Sequence, residues 1–404
     1  MKNLPQEILI KDYTYELPHH RIAEFPLEQR DQSKLLIYKD GNITDDAFFN
    51  ISRHLQKGVT VILNDTRVIE ARLFFQKSTG GVIEIFCLEP YQQSIEQAMQ
   101  QKSPTIWKCL IGGASKWKHG QILEKHFHQN EVCLTAKYID KKEDYFLIEF
   151  NWSPPNLPFV QILHEAGAIP LPPYIKRSAE KMDWERYQTI FSRYEGSVAA
   201  PTAALHFTEK AFEQLKEKGI DIGYVTLHVG AGTFKPVKAE SIADHHMHSE
   251  PFTVKKEVLE KLSASEKLIA VGTTSLRTLE SLHWIGLKLR ERSDESFSLE
   301  QWEAYDLAGQ HPSVTYQQSL QSLLQWMEEH STDEIHCKTS LIIVPGYEFK
   351  SAVGLITNFH QPNSTLLLLV AAFIGEDWKK VYQHALDNNY RFLSYGDSNL
   401  LWRV

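Results

Sequence analysis

Cysteine is scarce, with Cys87, Cys109, Cys133 and Cys337 the four in 404 residues and no pair at two-residue spacing. That argues against a disulfide framework and a cysteine zinc site, leaving core thiols. Long apolar runs are missing too. Residues 366–374 form an apolar run, but it is far too short to cross a bilayer, and the opening Met1-Lys-Asn-Leu-Pro-Gln-Glu7 lacks the apolar core of a secretory signal. Nor is there an excess of positive charge. The formal balance is -8, so a protein that coats nucleic-acid phosphates broadly is excluded and any such contact has to be local. Gly230-Ala-Gly232 follows a strand-like run, yet the third glycine of a dinucleotide fingerprint is absent and Pro236 obstructs the helix that should follow. No repeat or low-complexity tract is present. With 42% hydrophobic residues, the expectation is a large, soluble, cytoplasmic α/β protein of more than one domain.

What is present is densest in residues 196–250. Thr208, then Ala211, Phe212 and Leu215, then Gly219, predict a short helix with a hydroxyl cap and a glycine stop. Residues 220–229 follow as a strand buried on both faces, with His228 at its carboxyl end, where open α/β sheets place ligands. The pattern of an apolar strand ending in polar residues recurs at Asn64-Asp-Thr-Arg67, at Gly272-Thr-Thr-Ser275-Leu-Arg277 and at Thr357-Asn-Phe-His360. If these four endings share one sheet, they converge on one crevice. Residues 74–150 instead show short β-type runs separated by turns, which predicts a small β-barrel over 74–155 inserted in a large mixed α/β domain made of 1–73 and 156–404. Residues 283–338, rich in tryptophan and acidic groups, read as a helical insertion or peripheral element.

Each polar group has a plainer reading beside the chemical one. Asp244-His-His-Met-His248 with Glu250 offers metal-ligand atoms, but the spacing matches no helical metalloenzyme pattern, and a hydrogen-bonded loop serves as well. Ser197 and Ser275 lack the glycine pattern of a nucleophile elbow. Thr273, Ser275 and Arg277 at a helix start read either as an anion site or as a capping motif. A metal-dependent hydrolase using His245, His246 and His248, or a non-catalytic RNA-binding module using the basic stretch 176–193, remain the readings from other classes.

Taken together, Tyr15-Glu-Leu-Pro18, Asn64-Asp-Thr-Arg67, Pro170-Leu-Pro-Pro-Tyr174, Gly196-Ser-Val-Ala-Ala-Pro-Thr202, Leu205-His-Phe207, Thr226-Leu-His-Val-Gly230, Gly232-Thr-Phe234, Met247-His-Ser-Glu250, Gly272-Thr-Thr-Ser275, Leu355-Ile-Thr-Asn-Phe-His360 and Tyr395-Gly-Asp397 resemble the motifs of the S-adenosylmethionine:tRNA ribosyltransferase-isomerase family of queuosine biosynthesis. The resemblance spans nearly the whole chain. It implies a mixed α/β domain with an inserted barrel. It also implies transfer of the ribosyl part of S-adenosylmethionine to 7-aminomethyl-7-deazaguanine in a tRNA anticodon loop, giving epoxyqueuosine with release of adenine and methionine. Glu70, Ala204, Pro251, Gly354, Gln361 and Asn363 depart from the family pattern, so a paralogue with another ribosyl acceptor is the in-class alternative.

The implied chemistry assigns expected roles. The sulfonium acidifies the C5′ hydrogens, so a positioned base and a proton donor for departing adenine are required. His228 is the first candidate for proton transfer, followed by His206, His248 and Glu250. Asp65, Thr233 and Asp397 are candidates to orient ribose or base. Arg277, Thr273 and Ser275 are candidates for the methionine carboxylate or a tRNA phosphate. The motifs add Arg67, Thr202, Phe207, Gly230, Gly232, Asn358, His360 and Tyr395 as substrate contacts. Lys176, Arg177, Lys181, Arg186 and Arg193 crowd beside a proline-rich segment as an RNA-binding stretch, with Lys235 and Lys238 after the glycine loop. S-adenosylmethionine and tRNA are the expected partners of a monomer, with no metal required.

Overall fold

Val59–Asn64 is buried along its entire length, as suits a β-branched, apolar strand covered on both faces. Its side chains divide with a period of two. Val59, Val61 and Leu63 enter one core with Leu215 and Phe207, and Ile62 enters another with Leu276, Leu279 and Leu320. The computed structural model describes residues 7–403 except 78, 119, 130, 231–236, 238 and 292–295. Gly232, Thr233, Lys235 and Lys238 therefore lie outside the described residues.

Among the described residues, ten strands form the main sheet in the order Ser298–Leu299, Glu334–Thr339, Glu250–Lys255, Asp221–Leu227, Val59–Asn64, Lys267–Val271, Ala352–Asn358, Ser398–Trp402, Lys34–Lys39 and Asn42–Ala47. The four central strands, from Asp221–Leu227 to Ala352–Asn358, run parallel to one another. Antiparallel pairing begins on either side, with Glu250–Lys255 and with Ser398–Trp402. Helix Glu209–Glu217 is capped by Thr208, whose Oγ1 accepts from the Ala211 amide at 3.2 Å, and stops at Gly219, which has a φ of 72°.

Residues 283–338 are helical in part, but they are not peripheral. His283 lies inside helix Thr273–Arg290, and Leu320, Leu323 and Met327 of helix Tyr316–Glu329 are buried in the main core. Strand Glu334–Thr339 joins the sheet beside Glu250–Lys255. The two helices touch at Gly286, where a Cβ would sit 2.2 Å from the Ser319 carbonyl oxygen, so the close approach requires glycine. The exposed acidic residues Asp306, Glu328 and Glu329 lie on helices whose other faces carry buried apolar side chains.

Seven further strands form a second, antiparallel sheet, ordered Gly167–Ala168, Arg72–Gln76, Val82–Pro90, Thr105–Gly112, Phe146–Ser153, Val132–Lys141 and Ile122–Phe127. Trp107, Phe150 and Trp152 pack on Phe159 of helix Phe159–Ala166. Among the described residues no ladder joins the first strand to the last, so the expected small β-barrel is seen as a half-barrel sheet that no strand pairing closes. The edge strand Gly167–Ala168 is two residues long, too short for a pairing that closes a ring. A side-chain bond from Lys125 Nζ to the Ala166 carbonyl, 2.6 Å, links the last strand to the end of helix Phe159–Ala166. No helix is long and apolar enough to cross a membrane among the described residues.

Candidate active site

The parallel core puts the four polar strand endings on one edge of the sheet, side by side. Asn64 organises the centre. Its Nδ2 donates to the Leu227 carbonyl at 2.9 Å, and its Oδ1 accepts from the Leu227 and Thr66 amides at 3.1 and 3.2 Å. One amide thereby fixes the backbone on which both Thr66 and His228 are mounted. Ser197 holds the loop opposite, donating to the Ala199 carbonyl and accepting from the Val229 amide, so its hydroxyl is engaged and not a free nucleophile.

An open crevice lies along this edge, lined by Ala199 to Ala203, Val229, Gly272 to Thr274, Thr357 to Gln361, Ser364, Leu366, Tyr174, Leu393 and Ser394. Thr202, Thr273, Asn358 and His360 among the candidates line it directly. The helix bearing Thr273 starts three residues earlier than a Ser275 cap requires: Gly272, at a φ of 88°, is the N-cap, and Ser275 Oγ is buried without a hydrogen-bond partner among the described residues. Thr202 Oγ1 donates to Asn358 Oδ1 at 2.8 Å, and Asn358 Nδ2 faces His206 Nε2 at 3.4 Å. His206 Nδ1 meets Ser33 Oγ at 2.9 Å. With Asn358 as the donor, the network assigns the His206 proton to Nδ1. Burial, reinforced by the Arg391 and Arg30 guanidiniums, lowers His206 to about 4. His360 bonds Thr357 Oγ1 at 3.0 Å, and burial lowers it to about 3. Both rings are neutral near pH 7.

His228 precedes Val229 of the crevice wall and is nearly buried, with Nδ1 2.9 Å from Thr66 Oγ1 and Nε2 3.6 Å from Glu96 Oε1. The imidazole holds the Glu96 carboxyl down at about 2. Glu96 lies on helix Ile95–Gln100, an outgrowth of the second sheet. Sequence reading missed it, because its only local signal is the Ser94/Gln97 capping box, which says nothing about a histidine far along the chain. Gly196, at a φ of 147°, makes room for this group. A Cβ there would lie 2.5 Å from Ile95 Cγ1 and 3.0 Å from His228 Nδ1.

Beside His228, Glu250 Oε1 accepts from the Gly230 amide at 3.1 Å. Glu250 Oε2 stands 2.9 Å from Arg277 Nη1, an ion-pair distance whose angle falls outside hydrogen-bond geometry. Arg277 Nε and Nη2 are buried with no hydrogen-bond partner among the described residues. Asp65 is buried under the strand edge, accepts from Thr226 Oγ1 at 2.7 Å, and has a carboxyl raised by burial. Arg67 is exposed and 3.7 Å from Glu195.

Other candidates sit elsewhere. Phe207 is buried between Phe48 and Phe212 in the core and does not line the crevice. His248 is exposed. Asp397 spends both oxygens on backbone, accepting from the Lys34 amide at 3.0 Å and the Arg391 amide at 2.7 Å. Tyr395 donates to Asp183 at 2.7 Å, and Asp183 also takes a two-pronged contact from Arg177 at 2.7 and 2.8 Å. Arg177 is thus an internal strut, whereas Lys176, Lys181 and Arg193 are exposed. Tyr395, His206 and Arg186 line a second, smaller pocket. Among the described residues no group of three His, Cys, Asp or Glu side chains is arranged to hold a metal.

A parallel α/β core with a polar crevice at the carboxyl ends of its strands is the arrangement in which open α/β sheets place their ligands. Residues 10–401 match the family described as queuosine biosynthesis protein, and the chain belongs to that family. It is 37% identical over 401 residues to the S-adenosylmethionine:tRNA ribosyltransferase-isomerase of Halothermothrix orenii, covering 97% of this chain and 99% of that protein. It is likewise 37% identical over 399 residues to the protein of the same name from Magnetococcus marinus, covering 97% of this chain and 94% of that one. A crystal structure of S-adenosylmethionine tRNA ribosyltransferase from Thermotoga maritima matches with 29% identity and a TM-score of 0.46, covering 96% of this chain and 99% of that one.

Three departures from the family pattern have visible surroundings. Glu70 Oε2 bonds His164 Nδ1 at 2.6 Å, while His164 Nε2 meets Glu195 at 2.8 Å, and the two carboxylates raise this imidazole to about 10. At Gly354 a Cβ would stand 2.6 Å from Ile269 Cδ1. Gln361 lines the crevice.

Proposed function

We propose that this enzyme transfers and isomerises the ribosyl part of S-adenosylmethionine onto 7-aminomethyl-7-deazaguanine in a tRNA anticodon loop, forming epoxyqueuosine and releasing adenine and methionine. The observation that carries the reading is the convergence of four family motifs on one crevice at the end of the parallel core. S-adenosylmethionine supplies a sulfonium that acidifies the C5′ hydrogens.

The chain's residues divide the remaining work. His228, held by Thr66 and facing Glu96, moves the proton. The start of helix Thr273–Arg290 offers unpaired backbone amides, and Arg277 has buried nitrogens without partners among the described residues. Both suit the methionine carboxylate. Thr202 and Asn358 orient the nucleoside, with neutral His206 keeping Asn358 in place. The second sheet is the inserted module, and helix Ile95–Gln100 is its contribution to the site. Lys176, Lys181 and Arg193 meet RNA phosphates. Incubation with S-adenosylmethionine and tRNA carrying 7-aminomethyl-7-deazaguanine should yield equal amounts of adenine and methionine and an epoxyqueuosine nucleoside by mass. Formation of S-adenosylhomocysteine would overturn the reading.

A further inference from the structure

The smaller pocket is walled by Arg30, Arg186 and Arg391 and shares Ser394 with the crevice. These arginines come from three remote stretches of chain. Each is anchored through a backbone carbonyl: Arg30 Nη1 to Gln188 at 3.2 Å, Arg186 Nη1 to Glu28 at 3.1 Å, and Arg391 Nη1 to Phe25 at 3.2 Å. Carbonyls fix the position of a guanidinium without cancelling its charge. Among the described residues no carboxylate comes within ion-pair distance of Arg30 or Arg186. The nearest to Arg391 is Asp397 at 3.8 Å, whose oxygens already accept from two backbone amides.

Three like charges gathered in one recess repel one another. Arg30 is lowered by burial and then by Arg186, with Glu185 and Asp31 giving only partial relief. Such a cluster, in a chain of net charge -8, is stabilised by an anionic guest that accepts from several directions. A tetrahedral phosphate does this, and arginine forks match its oxygens. We infer that this pocket is a phosphate subsite that holds a phosphodiester of the tRNA backbone while the neighbouring nucleotide enters the crevice across Ser394. The inference rests on the tRNA reading above.

Binding of labelled tRNA at several salt concentrations tests it in wild type, Arg30→Gln and Arg30→Lys. Arg30→Gln should bind roughly tenfold more weakly, with the logarithmic salt slope reduced by about 0.7 to 0.9, the value of one lost phosphate contact. Arg30→Lys should keep the slope, because it keeps the charge. In the wild type, phenylglyoxal modification of Arg30, Arg186 and Arg391, mapped by mass spectrometry, should be blocked by tRNA and not by S-adenosylmethionine. This arm decides the matter should Arg30→Gln fail to fold. Protection by inorganic phosphate without protection by tRNA would assign the pocket to free phosphate and overturn the RNA assignment. An unchanged slope in Arg30→Gln, or a raised KM for S-adenosylmethionine with unaltered tRNA binding, would overturn it too. Wild type that binds tRNA while the variant keeps its slope sinks the subsite alone, and wild type that does not bind tRNA sinks the functional reading with it.

Discussion

Lowering the pH from 7 to 5 should destabilise the folded protein by about 2 kcal/mol through His206 alone. Its imidazole titrates at about 4 in the fold and near ~6.5 in an unfolded chain. Between those values the unfolded state binds more protons, so stability is complete above about pH 6.5 and is lost as the pH falls toward 4. At ~1.4 kcal/mol for each pH unit, the loss reaches about 2 at pH 5 and levels off at about 3 below pH 4. The structure explains the shift. The ring is buried, the Arg391 and Arg30 guanidiniums oppose a further positive charge, and the free lone pair on Nε2 already faces the Asn358 amide. A second proton would set donor against donor and release the asparagine that lines the crevice. Glu96, held at about 2, loses its own contribution in a lower window, from about 4.5 downward. Urea denaturation of wild type and His206→Gln at pH 7 and pH 5 separates the terms, because His283 and His360 remain in both proteins. The pH-dependent loss should be smaller by about 2 kcal/mol in the variant. An identical loss in the two proteins would refute the reasoning.

His228→Ala should lower the rate of adenine release by roughly 10²- to 10⁴-fold, the usual worth of a positioned proton-transfer group, with an unchanged circular dichroism spectrum. Near-normal turnover would remove His228 from that role. Lys176 and Arg177 are neighbours with opposite expected outcomes. Lys176→Gln should alter only tRNA binding, reducing its logarithmic salt slope by about 0.7 to 0.9. Arg177→Ala strands the buried Asp183 carboxylate and should destabilise the fold by about 3 kcal/mol, seen as a lower unfolding midpoint. Equal melting of the two variants would contradict the strut assigned to Arg177.

Local patterns in the sequence carried the elements that depend on near neighbours. The Thr208 cap, the Gly219 stop and the buried strands ending at Asn64, Leu227 and Val271 were readable because capping and period-two burial are decided within a few residues. The motifs also pointed to Thr202, Thr273, Asn358 and His360, and these do line the crevice. Three things were beyond local reading. The first was that the polar endings are adjacent and parallel, which is fixed by strand order. The second was the proximity of Glu96 to His228, which requires a helix from the second sheet to reach the edge of the first. The third was the fate of individual charges: Arg177 and Arg186 are nine residues apart and chemically alike, yet one is neutralised by Asp183 while the other faces a pocket with only carbonyls behind it. Charge type is a property of the residue. Whether that charge is spent or left available is decided by what the fold brings within a few ångströms of it: for Arg177 that is Asp183 on the next short helix, and for Arg186 it is carbonyls of the distant segment at Leu27 and Glu28.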